Sequence, residues 1–60
     1  MRATTLKKKY PEMWRAVEDQ VVRDLSDMPI AASIRERTAH NAAFVACSEH
    51  HKAMKEHKPG

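Results

Sequence analysis

Pro11–Met28 reads "PEMWRAVEDQVVRDLSDM". Trp14, Val17, Val21, Leu25 and Met28 recur at steps of three and four, which traces one stripe along a helix. Met13 and Val22 widen that stripe. Pro11 suits the first helical position, where its missing N–H costs nothing, and Glu12 sits at the positive end of the helix dipole. Arg15–Asp19 and Asp19–Arg23 are i,i+4 pairs on the outer side. The pattern predicts a helix over about 11–26.

Pro29 stops this helix, because it has no N–H to donate and keeps Met28 out of the helical region. A second helix begins at Pro29 or after Ser33. "SIRE" has the form of a capping box, with Ser33 capping and Glu36 reaching back. The start near Pro29 is preferred, which gives a helix over about 30–55 with Ser33 in its interior. Nothing interrupts it before Pro59, so it overhangs the first helix.

Within it, His40–His51 reads "HNAAFVACSEHH". At about 100° per residue, Ile30, Ile34, Asn41 and Val45 share one face. Ala39, Ala42, Ala46 and Ala53 share a second, and His40, Phe44, Cys47 and His51 a third. A stretch apolar on several sides needs neighbours on several sides. One short partner helix cannot cover it all. Thr38–Cys47 is therefore the expected meeting point of two chains, with Ile34, Ala42, Phe44, Val45, Ala46 and Cys47 at a homodimer interface.

The remaining composition agrees with this reading. Sixty residues make one domain at most, and so short a chain usually needs help to fold. A single cysteine excludes an internal disulfide, and a free thiol suits a reducing cytoplasm. One glycine and a high charged fraction favour helices over a glycine-turned sheet. No run of about 18 apolar residues marks a membrane helix, and "MRATTLKKKY" lacks the apolar stretch of a secretory signal.

The formal charge is +3 and uneven. Arg2, Lys7, Lys8 and Lys9 form a basic run, while five acids crowd Glu12–Asp27. Residues 1–10 read as a flexible basic arm, 11–56 as a helical hairpin, and 57–60 as a disordered tail. Lys7, Lys8, Lys9 and Tyr10, with His50, His51 and Lys52 at the overhang, are the candidates for an external partner.

Three chemistries were weighed against these residues. Cys47 and His51 at i,i+4 can both face one metal ion, but no second pair completes a site, so no metal or other cofactor is expected. The same two residues are the minimum for nucleophilic catalysis. No glycine loop accompanies them to hold an oxyanion, and the chain is too small to enclose a pocket, so no enzyme activity is expected.

The third chemistry is DNA reading by a ribbon–helix–helix dimer, which "RATTLKKKYPE" followed by two helices resembles in outline. That resemblance would aim Arg2, Thr4 and Lys8 at the major groove and use "SIRERTA" as the phosphate-contacting turn. Three successive lysines are poor strand formers, and the second helix is too long for the family.

"LKKKYPEMWRAVEDQVVRDLSDMPIAASIRERTAHNAAFVACSEHH" is similar to the short open reading frames between the recombination and excisionase genes of lambdoid temperate bacteriophages. The similarity transfers no catalytic or ligand residue. It implies a small early-region protein in the cytoplasm of a host bacterium, acting on phage development or host physiology. The expectation is an all-α two-helix hairpin forming a homodimeric four-helix arrangement. Such a protein is regulatory and non-enzymatic, works by protein–protein interaction, and has an unidentified host or phage protein as partner. A dimeric DNA-binding regulator is the alternative.

Overall fold

The computed structural model describes residues 2–56, and of Glu56 the backbone alone. Three helices follow one another: α1 (Ala3–Lys9), α2 (Pro11–Leu25) and α3 (Ala32–Glu56). Among the described residues there is no strand. No described helix is long and apolar enough to cross a membrane. The tail expected at 57–60 lies outside the described residues.

Residues 3–9, read from the sequence as part of an arm, form a helix. Lysine is a good helix former, and Lys7, Lys8 and Lys9 fill the last turn, where cations meet the negative end of the dipole. Leu6 is fully buried and fastens α1 to the other two helices. Burial of such a side chain contributes about 1.5–3 kcal/mol toward holding this short helix in place.

Pro11 separates α1 from α2. A proline disfavours the helical region for the residue before it, and Tyr10 sits at φ −127°, ψ 62°. Tyr10 N–H donates to the Leu6 carbonyl at 2.8 Å and closes α1, and Trp14 N–H donates to the Tyr10 carbonyl at 3.0 Å and opens α2. Between them Pro11 has no N–H, and neither Glu12 nor Met13 donates back into α1.

Helix α2 ends at Leu25. The Ser26 hydroxyl donates to the Arg23 carbonyl at 2.7 Å, as does the Ser26 N–H at 3.2 Å. These bonds satisfy a carbonyl that the helix end would otherwise leave open. Helix α3 starts between the two expected points. The Ala31 carbonyl accepts from the N–H groups of Ile34 and Arg35, both at 3.1 Å. Ser33 is therefore inside the first turn, two residues past the capping position at Ala31.

Helices α2 and α3 pack side by side in opposite directions, with Tyr10 at the start of α2 touching His50 and His51 near the end of α3. Large side chains of α2 meet small ones of α3. Trp14 is 1% exposed, and the buried line opposite is Ala39, Ala43 and Cys47. Alanine at those points lets the backbones approach and leaves room for the indole ring. Leu6, Trp14, Ala43 and Cys47 form the core, with Ala3, Tyr10, Met13, Val17 and Phe44 packed around it.

Candidate functional site

Two surfaces carry the residues singled out by the sequence. The first lies where α1, the start of α2 and the end of α3 converge. Pro11 forces the bend at Tyr10, and the bend turns the phenol ring onto α3. The Tyr10 hydroxyl lies 2.9 Å from His51 Nδ1. The Tyr10 ring also meets the His50 ring edge-on, with centroids 5.2 Å apart. Both histidines are half-buried. An open depression of about 320 Å³ beside them is lined by Lys9, Tyr10, Pro11, Glu12, Met13 and His50.

The surroundings act on the His51 ring. Desolvation by the surrounding chain lowers the His51 pKa below its ordinary 6.5, and the nearby charges of Lys9 and Lys55 lower it further. A neutral ring with its proton on Nε2 can accept at Nδ1 from the Tyr10 hydroxyl. The pair is a polar latch between the α1–α2 bend and the end of α3.

Of the partner candidates, Lys9, Tyr10, His50 and His51 are brought together here. Lys7 and Lys8 are exposed in the same last turn of α1, and Lys52 is exposed on α3. The cysteine–histidine pair is not arranged for chemistry. Cys47 is fully buried, which raises its thiol pKa, and its sulfur belongs to the core. His51 Nδ1 is engaged with Tyr10. The ribbon mapping does not hold either, since Thr4 and Lys8 belong to helix α1 and no strand is present among the described residues.

The second surface is the side of α3 turned away from α2. The six residues expected at a dimer interface separate here. Ile34 and Val45 are 54% and 58% exposed. Ala42 and Ala46 are half-buried on the flank, and Phe44 is half-buried against the core. Cys47 is fully covered by its own chain and offers nothing to a second one. The physical reason is that the buried line Ala39–Ala43–Cys47 runs between two of the three faces drawn from the sequence. Helix α2 and helix α1 together cover what one helix could not.

Sequence reasoning missed Leu6 and Ala43 as core residues. The signal for Leu6 was present: Ala3, Leu6, Tyr10, Trp14 and Val17 continue a single three-and-four pattern through the lysines. Comparison with protein-family models, curated proteins and solved structures gives no match for this chain.

Proposed function

We propose that the chain is a homodimer of four-helix character that acts by binding other proteins and performs no catalysis. The observation that supports this is the distribution of large apolar side chains. Val22, Met28, Ile34, Val45 and Met54 are all between 37% and 58% exposed, in a chain whose fully covered large side chains are Trp14, Leu6 and Cys47. A second copy would cover part of this apolar surface.

The external partner surface in this reading is the α1 end, where Lys7, Lys8 and Lys9 project beside Tyr10, His50 and His51. Lysines so placed suit an acidic protein surface. The similarity to early-region phage proteins makes that partner a host or phage protein, and the role a regulatory one in the cytoplasm of the bacterium.

Sedimentation equilibrium tests the dimer. At tens of micromolar the expected mass is twice 6.9 kDa; a monomer over the whole accessible concentration range contradicts it. Charge reversal of Lys7, Lys8 and Lys9 tests the partner surface. It should leave the dimer intact and abolish capture of the host partner; capture unchanged by the reversal refutes that surface.

A further inference from the structure

Helix α3 turns one face to α1 and α2 and the opposite face to solvent. Ile34, Thr38, Asn41, Val45 and Lys52 share the outer face at about 100° per residue, and all five are exposed. Ile34 and Val45 stand eleven residues apart, about 16 Å along the axis at about 1.5 Å per residue. Thr38 and Asn41 lie between them. The order is apolar, polar, polar, apolar, at steps of four, three and four. It reads the same in both directions.

We infer that a second copy docks on this face running the opposite way, with a two-fold axis between Thr38 and Asn41. This rests on the homodimer reading above and gives it a geometry. The steps of four and three are those of a coiled-coil seam. An antiparallel seam sets Ile34 against the partner's Val45 and Thr38 against the partner's Asn41. The Thr38 hydroxyl already donates to its own Ile34 carbonyl at 2.8 Å. Its oxygen remains free to accept from the amide of the partner's Asn41. A polar layer of this kind fixes register at some cost in stability.

Charge selects the direction. Residues 18–37, which include the α2–α3 connection, carry five acids against three bases. Residues 2–17, at the α1 end, carry five bases against one acid. A parallel pair stacks like-charged ends on each other, whereas the antiparallel pair sets each basic end beside an acidic one. With the axis between 38 and 41, the last turns of α3 project past the start of the partner's α3. Lys52 then points toward the partner's α2–α3 connection, which carries Asp27.

Disulfide trapping tests this geometry. Ile34→Cys and Val45→Cys are prepared separately; Cys47 stays in place because it is buried. Under mild oxidation, a mixture of the two variants should give a covalent dimer joined from 34 to 45. Neither variant alone should do so, since its own thiols would stand about 16 Å apart, beyond disulfide reach. A covalent dimer from Ile34→Cys alone overturns the direction. A sedimenting dimer that the mixture fails to trap overturns the face. A wild-type monomer overturns the homodimer reading itself. Charge exchange gives an independent readout: Lys52→Glu should weaken the dimer several-fold, and adding Asp27→Lys to the same chain should restore it. No restoration overturns the charge pairing.

Discussion

The two ends of the α2–α3 pair differ in one respect. At one end α1 adds a third element, and Leu6, Trp14, Ala43 and Cys47 are all 1% exposed or less. At the other end there is no third element. Leu25 and Ile30 are only half-buried, and Met28 and Ile34 are more than half exposed. The same apolar stripe of α2 serves both ends. The difference teaches that an amphipathic stripe between two helices stays wet along its flanks, and that seven residues of α1 suffice to close one of them. It also locates where added burial has most to contribute.

The closed end should break most severely. Trp14→Ala removes its central side chain and should cost about 3–5 kcal/mol, which approaches the whole stability of a small domain. Circular dichroism should show loss of helix at room temperature. Next, Leu6→Ala should cost about 2–5 kcal/mol although it lies in a helix of seven residues. Leu25→Ala, in the longer helix but at the open end, should cost clearly less. Thermal melts of the two variants side by side measure the contrast, and equal losses would remove it.

A smaller effect concerns reactivity. The Cys47 thiol should react with an aromatic disulfide reagent only as fast as the fold opens, and at once in denaturant.

The smallest effect is on pH. His51 has a folded pKa below its ordinary 6.5, so below that pH the unfolded chain takes up its proton first. Stability from this group is present above pH 6.5 and declines as pH falls from there, until the folded His51 is protonated as well. Tyr10→Phe should slightly lower the melting temperature at pH 8, and Lys9→Gln, which removes one of the charges that lower the His51 pKa, should shrink this acid-side decline, as measured by melts between pH 8 and 5.

Much of this contrast could be read from spacing. The stripe Trp14–Val17–Val21–Leu25 is recognisable because every member is large and apolar, and Pro11 and Pro29 bracket it. Helix α3 was expected at about 30–55 and is found at 32–56. Its start was misplaced because Ala31, which has no capping side chain, supplies the first carbonyl. Helix α1 was obscured by Lys7–Lys9, whose charge suggests a solvated arm although lysine favours helix. The interface residues were harder to place. Cys47 and Val45 look equally apolar in the sequence, and the placement of α1 and α2 decides that the first is covered and the second is not. Tyr10 and His51 lie 41 residues apart, so no local pattern announces their contact.

The central claim is that the chain closes one end by itself and leaves the outer face of α3 for a second copy. Amide NMR spectra recorded from dilute to concentrated protein test it residue by residue. Concentration-dependent shifts should gather at Ile34, Thr38, Asn41 and Val45, while Leu6, Trp14 and Ala43 stay constant. Shifts centred on Leu6 and Trp14, or spectra that never change with concentration, would contradict the account.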